Sequence, residues 1–238
     1  MAKKEKAMGS LKKIYIIHGW SYSTNKWGPF VELLKKNGFS VNLLKVPGLT
    51  AASDKVWELD DYIVWLKKNI SDEKNKIILL GHSNGGRIAI SYASLYPEDL
   101  SHLLLIDSAG IYHNEIPIRI KRIVFKTIAK LGKKATTSNQ LKKLIYRLAQ
   151  AKDYQEATSS MKQTMLNLII KDLTPILITI TTPTTIIWGE KDKITPLSDA
   201  KLMNKYIKNS RFYQIKDAKH SPQFSHPQEV IDRIKKEV

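Results

Sequence analysis

A serine stands out in the stretch IILLGHSNGGR at 77–87, because it follows an apolar run and lies among small residues. The residues GHSNG at 81–85 match the pattern G-x-S-x-G, in which the serine attacks a carbonyl carbon. A serine hydroxyl is a poor nucleophile unless a neighbouring base takes its proton and a third group orients that base. The flanking glycines permit a strained backbone and a close approach of neighbouring segments. Ser83 is therefore predicted to be a nucleophile, and the alternative is a tight turn whose small residues only avoid clashes.

An acid and a base that could serve Ser83 follow two later apolar runs. Asp192 lies in the stretch WGEKDKITP at 188–196, and His220 lies in DAKHSP at 217–222. Because ligands and reactive groups gather at the carboxyl ends of parallel strands, both side chains are expected at the same edge of a sheet as Ser83. The residue types and their places thus predict a serine, histidine and aspartate triad.

Two other carboxylates remain open as alternatives for the acid. Glu190 lies in the same stretch as Asp192, and Asp107 follows another apolar run. If Asp107 is not the acid, we expect it to cap a helix or to bind backbone amides near Ser108.

The elements that must position these residues alternate regularly along the chain. Short apolar runs predict strands at 14–17, 40–46, 76–80, 103–106, 184–188 and 211–215, and apolar stripes predict helices at 27–37, 55–69, 85–96, 196–207 and 226–237. The alternation predicts an α/β fold with a mostly parallel, twisted sheet and helices on both faces. Residues 11–110 and 180–238 form the predicted core, residues 111–179 a helical cap inserted into it, and residues 1–10 a flexible N-terminus.

The bulk composition sets further limits. The chain has 238 residues, of which 42% are apolar, and this is enough for a real core. It contains no cysteine, so disulfides, thiolate metal sites and a cysteine nucleophile are excluded. No stretch approaches the roughly 18 apolar residues of a membrane span. The charged opening MAKKEKAM is not followed by an apolar stretch, so no signal peptide is predicted and the cytoplasm is the expected location.

Four stretches together resemble the α/β-hydrolase fold family, in particular the capped group that contains carboxylesterases and related lyases. They are IHGW at 17–20, GHSNGG at 81–86, WGEKD at 188–192 with a following proline, and AKH at 218–220. The resemblance covers nearly the whole chain outside about 111–178. One strand precedes the first of these stretches, so the first two strands of the family's usual eight are expected to be missing, which leaves about six.

The resemblance implies a role for each site residue. Ser83 is implied as the nucleophile, His220 as the base and Asp192 as the orienting acid. The backbone N–H groups of Trp20 and Asn84 are implied as the oxyanion hole, and the second of these opens a helix whose free N–H groups face the developing anion.

The remaining histidines are predicted to have structural roles, and no cofactor is predicted. His18 and His82 are expected to hydrogen-bond the backbone near the oxyanion hole, His226 to begin a helix, and His102 and His113 show no pattern. No cluster of histidines and carboxylates predicts a metal, and no G-x-G-x-x-G pattern predicts a dinucleotide, so no cofactor is expected.

The predicted reaction is hydrolysis of carboxylic esters with acyl or aryl groups through an acyl-enzyme. Alternatives keep the triad but act on a thioester, on a carbon–carbon bond or as a perhydrolase. A different class of alternative is a binding module without enzymatic activity on the same scaffold.

The predicted cap is strongly basic. Residues 117–131 read PIRIKRIVFKTIAKL and predict an amphipathic helix with its basic residues largely off the apolar stripe. We expect a solvated outer face, and the alternative is contact with an anionic membrane surface or an acidic carrier protein.

The net charge is +17, but no nucleic-acid-binding motif is visible, so nucleic acid is not an expected partner. A basic rim also disfavours cationic substrates and thus an aminopeptidase. Met161 and Met165 are expected to line the cap.

Overall fold

The centre of the protein is a parallel sheet of six strands. The computed structural model describes residues 11–21, 23–112, 157–169 and 171–238. Its strands are β1 (Lys12–Ile17), β2 (Phe39–Leu43), β3 (Ile77–His82), β4 (Leu100–Ile106), β5 (Thr184–Gly189) and β6 (Ser210–Ile215). Their order is β2-β1-β3-β4-β5-β6, and every neighbouring pair is parallel. The predicted α/β fold with about six strands is confirmed.

Helices connect the strands, as the alternating pattern predicts. They are α1 (Gly28–Lys36), α2 (Leu59–Ile70), α3 (Asn84–Leu95), α4 (Ser159–Ile169), α5 (Leu197–Tyr206), the short α6 (Pro222–Ser225) and α7 (Pro227–Glu237). Short 3-10 helices lie at Asn25–Trp27, Pro97–Asp99 and Thr174–Thr179. None of the helices in the described ranges is both long enough and apolar enough to cross a membrane.

The predicted helix at 55–69 begins later than expected. A capping box fixes its start at Leu59: the Glu58 carboxylate accepts the N–H of Asp61, and the Asp61 carboxylate accepts the N–H of Glu58 at 2.9 Å. Val56, which the apolar stripe places on the buried face of the helix, therefore precedes it and is 40% exposed. The apolar spacing extends beyond the capping box toward the N-terminus, so periodicity alone cannot locate the first residue of the helix.

Each face of the sheet carries its own core. Alternate residues of a strand point to opposite faces, so Ile14 and Ile16 pack with α1 and α7, whereas Tyr15 and Ile17 pack with α2, α3 and α5. Burial on both faces explains why the four inner strands are largely apolar.

The register of the central strands brings their carboxyl ends together. His82 at the end of β3 is paired with Ile106 of β4, and Ile106 is paired with Ile187 of β5. Gly189 at the end of β5 is paired with Ile215 of β6. The segments that follow these four strands therefore begin side by side at one edge of the sheet.

The predicted cap is described only at its C-terminal end. The predicted basic helix at 117–131 lies outside the described residues, and the division into core and cap stays a prediction. Helix α4 packs on the core: Thr164 accepts the N–H of Trp57 at 2.9 Å, and Leu168 is fully buried. Met161 and Met165 on this helix are half-buried, which leaves open whether they line a cap.

Candidate active site

Ser83 occupies a strained turn between β3 and α3. Its φ of 51° and ψ of −122° lie outside the regions that residues other than glycine normally adopt. Three hydrogen bonds hold the turn: the Ser83 N–H donates to the carbonyl of Ile106 at 3.2 Å, and the Ser83 carbonyl accepts N–H groups from Gly86 and Ala109. Strain of this kind persists only where the surroundings impose it, and it is common at functional sites.

Close packing around the turn explains its glycines. A Cβ on Gly81 would lie 2.7 Å from the Cα of Gly86, and one on Gly85 would lie 2.1 Å from the carbonyl oxygen of Ile17. A Cβ on Gly19 would lie 2.8 Å from the Cβ of Ser83. Ser83 is therefore both part of a tight turn and a candidate nucleophile. The neighbouring segments leave no room for side chains at the glycines, and the same packing holds the Ser83 hydroxyl in place.

The predicted base and acid lie in hydrogen-bond contact with Ser83. His220 Nε2 is 2.9 Å from Ser83 Oγ, and His220 Nδ1 is 2.8 Å from Asp192 Oδ2. Asp192 is buried, and the His220 side chain is 13% exposed. With the ring proton on Nδ1, the imidazole donates to Asp192 and accepts from the Ser83 hydroxyl, which is the arrangement that activates a serine. The structure thus brings together all three residues of the predicted triad.

The loop of residues 190–196, here the acid loop, is shaped around the Asp192 carboxylate. Oδ1 accepts the N–H groups of Ile194 at 2.7 Å and Thr195 at 3.2 Å, and Oδ2 accepts the Thr195 hydroxyl at 2.7 Å. Burial alone would raise the pKa of Asp192, but these bonds and the nearby His220 outweigh burial and lower the pKa below its usual value. Asp192 is therefore ionised and able to orient the imidazole.

Glu190 does not contact His220. It is exposed, its carboxylate accepts the N–H of Asp217 at 2.9 Å, and Gln214 Nε2 donates to it at 3.2 Å. Its contacts are thus with β6 and with residues 216–221, here the histidine loop, and not with the imidazole. The alternative in which Glu190 replaces Asp192 is not supported by this geometry.

Asp107 is fully buried and accepts backbone N–H groups from two distant segments. Its Oδ1 lies 2.8 Å from the nitrogen of Gly189, and its Oδ2 lies 2.7 Å from the nitrogen of Ser221. The expectation that it binds amides is met, but the amides belong to these segments and not to the stretch near Ser108. Burial, together with the charge of Asp192, raises its pKa to about 7, although the two N–H donors and His220 oppose that rise.

The two histidines that flank the site differ from each other. His18 hydrogen-bonds the backbone as predicted, with Nδ1 2.6 Å from the Gly19 carbonyl, and its Nε2 also contacts Thr50. His82 departs from the prediction, because its Nε2 lies 3.2 Å from a side-chain oxygen, that of Ser221. The His82 ring centroid is 5.1 Å from that of His220. Burial, with repulsion from His220 and His18, lowers the pKa of His82 well below its usual value.

The structure assembles a group that the sequence did not suggest. Ligand atoms of His82, Asp107 and His220 all lie within 4.8 Å of one another, which is close enough to surround a metal ion. Each of these residues already has a protein partner: both Asp107 oxygens accept N–H groups, His82 faces Ser221, and His220 contacts Ser83 and Asp192. The three residues follow or end different strands, so no spacing pattern in the sequence reveals them.

The segments predicted to form the oxyanion hole lie beside the serine. Asn84 is the first residue of α3, where N–H groups have no partner within the helix. Trp20 is half-buried and follows Gly19, which packs directly on Ser83. These positions are compatible with two backbone donors for an oxyanion, and that role stays a prediction.

Comparisons with known proteins agree with this geometry. The chain is 26% identical to a pimeloyl-[acyl-carrier protein] methyl ester esterase from Legionella pneumophila (strain Paris), over 90% of this chain and 89% of that protein. It is 24% identical to Lipase 1 from Psychrobacter immobilis, over 65% of this chain, and covers 53% of that lipase. A thermophilic esterase from Thermogutta terrifontis superposes with a TM-score of 0.71 at 22% identity, over 96% of this chain and 89% of that chain.

A family model also matches most of the chain. The family Hydrolase_4, described as serine aminopeptidase, S33, matches residues 10–226, which include Ser83, Asp192 and His220. The structural neighbours share the same arrangement of a parallel sheet flanked by helices. The chain therefore belongs to the serine aminopeptidase S33 family and is a carboxylesterase-like α/β hydrolase.

Proposed function

We propose that this protein hydrolyses carboxylic esters through an acyl-enzyme formed on Ser83. The observation that carries the proposal is the continuous chain of hydrogen bonds from Ser83 Oγ through the His220 ring to Asp192 Oδ2. A serine in such a chain loses its proton to the imidazole as it attacks, and the carboxylate stabilises the imidazolium that forms.

The reaction proceeds in two acyl transfers. In the first, Ser83 Oγ bonds to the ester carbonyl carbon while His220 Nε2 takes the serine proton, and the resulting oxyanion accepts N–H groups from Trp20 and Asn84. The tetrahedral intermediate collapses when the ester bond breaks, and His220 protonates the leaving alkoxide. In the second transfer, His220 takes a proton from water, the hydroxide attacks the acyl group, and Ser83 leaves with that proton restored.

The similarity to esterases and lipases supports an ester as the substrate. The curated relatives reported above are a methyl ester esterase and a lipase, and the structural neighbour is an esterase. The family description, serine aminopeptidase, points to an amide substrate instead. The high positive charge of the chain disfavours a cationic amino terminus at the site, so we retain the ester and treat the amide as a competing outcome.

Labelling and a substrate panel test the proposal together. A fluorophosphonate probe is expected to label Ser83, and the protein is expected to hydrolyse p-nitrophenyl esters within the range C2 to C16 faster than a thioester, a diketone or an aminoacyl p-nitroanilide. Ser83→Ala is expected to abolish labelling and to lower turnover by at least about 10³-fold, with a similar loss for His220→Ala. Ser94→Ala, a change on the same helix whose hydroxyl bonds only to the local backbone carbonyl of Ser91, is the control.

Each alternative has its own outcome in this experiment. Absence of labelling would indicate a binding module, and preference for the anilide would indicate an aminopeptidase. Either Ser83→Ala or His220→Ala retaining more than about a tenth of the wild-type activity would refute the assignment of the triad.

A further inference from the structure

Asp107 is a buried carboxylate that takes no direct part in the proposed ester hydrolysis. It follows β4, its side chain is fully buried, and its φ is 42°. Burying a carboxylate is unfavourable unless donors satisfy it, and this backbone conformation is unfavourable for most residues. An aspartate at such a position is therefore expected to serve neighbouring groups.

The contacts of Asp107 connect the two loops of the triad. Its side chain accepts the N–H of Gly189, the last residue of β5 before the acid loop, and the N–H of Ser221, the residue after His220. At the other end of the acid loop, the hydroxyl of Thr195 lies 3.2 Å from the Asp107 carbonyl oxygen. One residue thus contacts the start and the end of the acid loop as well as the histidine loop beside the base.

Asp107 also lies close to the imidazole. One of its oxygens lies within 4.8 Å of a ring nitrogen of His220, whereas Asp192 bonds directly to that ring. The titratable groups that face Asp107 are His220 on the histidine loop, Asp192 on the acid loop and His82 at the end of β3. Since His82 is neutral, the charge that forms on His220 during acyl transfer is the cation nearest to Asp107 in this group.

We propose that Asp107 is a positioning residue for the triad: it ties the acid loop and the histidine loop to the end of β4 and so holds His220 and Asp192 in hydrogen-bond contact. The proposal rests on the proposed function, because it assumes that His220 takes the proton of Ser83. Asp107 touches neither substrate nor the reacting atoms and acts through His220 and the two loops.

The substitution Asp107→Asn tests this role with little change in shape. Asparagine tolerates a positive φ, but it carries no charge, and its amide nitrogen would face one of the two N–H groups. Turnover of a neutral p-nitrophenyl ester is expected to fall about 10- to 100-fold, with KM changed by less than about threefold. The downfield NMR resonance of the His220 Nδ1 proton, which reports the bond to Asp192, is expected to shift or broaden, because the loops that carry the two partners are less firmly held.

A matched control lies at the opposite end of the same strand. Asp99 directly precedes β4, and its carboxylate contacts Lys67 and Tyr92. At a rise of about 3.3 Å per residue it lies roughly 25 Å from Asp107, so Asp99→Asn is expected to leave turnover and the resonance of the His220 Nδ1 proton unchanged. An unchanged turnover and resonance in Asp107→Asn, or equal changes in Asp99→Asn, would overturn the proposal.

A measurement without turnover separates this inference from the proposed function. The resonance of the His220 Nδ1 proton is expected to change in Asp107→Asn, whether or not the protein hydrolyses the chosen ester. If the wild-type protein hydrolyses no ester but the resonance still changes, the proposed function fails and the positioning role stands. If Asp107→Asn does not unfold cooperatively, Asp107→Gly, which relieves the positive φ but accepts neither N–H group, is expected to give the same change. A resonance that stays in place in the folded variant would refute the role.

Discussion

Around Ser83 the chain is fixed by close packing of backbone against backbone, whereas the acid loop and the histidine loop are fixed by polar contacts. At the Ser83 turn, Gly85 lies so near the carbonyl of Ile17 that no side chain fits between them. In the two loops, the side chains of Asp192 and Asp107 accept backbone N–H groups that helices and strands leave unpaired.

The difference predicts opposite sensitivities to mutation. A closely packed turn is disturbed when atoms are added, because interiors at crystal-like density cannot absorb a methyl group without shifts. A polar loop is disturbed when donors or acceptors are removed, because a buried N–H left without a partner keeps its full desolvation penalty. The predictions that follow test this contrast, beginning with the largest effect.

Removal of the negative charge of Asp192 is expected to have the largest effect on turnover. Asp192→Asn should lower kcat by up to ~10⁴-fold, because the carboxylate fixes the tautomer of His220 and stabilises its charged form. Glu190→Gln is the matched control, since its carboxylate binds the backbone of Asp217 and not the imidazole. Steady-state kinetics on one neutral ester would measure both. A loss in Asp107→Asn that exceeds the loss in Asp192→Asn would place the acid after β4 and contradict the observed triad.

Addition of one methyl group to the Ser83 turn is expected to destabilise the fold as well as the site. The new Cβ in Gly85→Ala would lie 2.1 Å from the Ile17 carbonyl oxygen, and that oxygen belongs to a strand. We expect about 1–3 kcal/mol less stability toward urea and a loss of fluorophosphonate labelling. In Gly28→Ala the new Cβ meets nothing within 4 Å, but the residue directly precedes Pro29, so this change should alter the stability by less than about 1 kcal/mol and leave labelling intact. Equal effects of the two changes would show that close packing does not hold the turn.

Removal of one hydroxyl from the acid loop is expected to have a moderate effect. Thr195→Val keeps the side chain's shape but removes the bond to Asp192 Oδ2, so turnover should fall about tenfold while the protein stays folded. Thr184→Val is the control, because its hydroxyl is buried and bonded to the Thr182 carbonyl, at the far end of β5. If both variants lose the same fraction of activity, the Thr195 hydroxyl has no specific role at the acid.

The smallest effect is expected outside both regions, in the basic stretch of the predicted cap. Changing Lys121, Arg122, Lys126 and Lys130 to Gln should leave turnover of a small neutral ester within about twofold, because exposed charges are screened beyond roughly 8–10 Å at physiological ionic strength. A selective loss on anionic vesicles or on an acyl-carrier-linked ester, shrinking as salt is added, would instead show that these residues recruit an anionic partner.

Most of the fold could be predicted from the sequence, for identifiable reasons. Burial of the sheet on both faces makes the four inner strands largely apolar, and the five helices between and after the strands carry clear stripes. The misplaced start of α2 shows the limit of this approach. Glu58 and Asp61 form the capping box that begins the helix, although the apolar pattern extends back to Val56.

The site was predictable where one local motif carried it and not where distant segments met. Ser83 was evident from its glycines, and Asp192 and His220 from the stretches after two strands. The contact of His82 with Ser221 and the bonds of Asp107 to Gly189 and Ser221 join residues far apart in the chain. A spacing pattern cannot describe such contacts.

By itself the sequence determined which residues could do chemistry and which segments would carry them, because residue type and local periodicity are properties of neighbouring positions. Only the tertiary structure decided between Asp192, Glu190 and Asp107 as partner of His220. That choice depends on the register of β4, β5 and β6 and on which loop turns its carboxylate toward the ring. Hydrogen bonds act over about 3 Å, so a choice among three acids at one sheet edge is made by the packing that sets those distances.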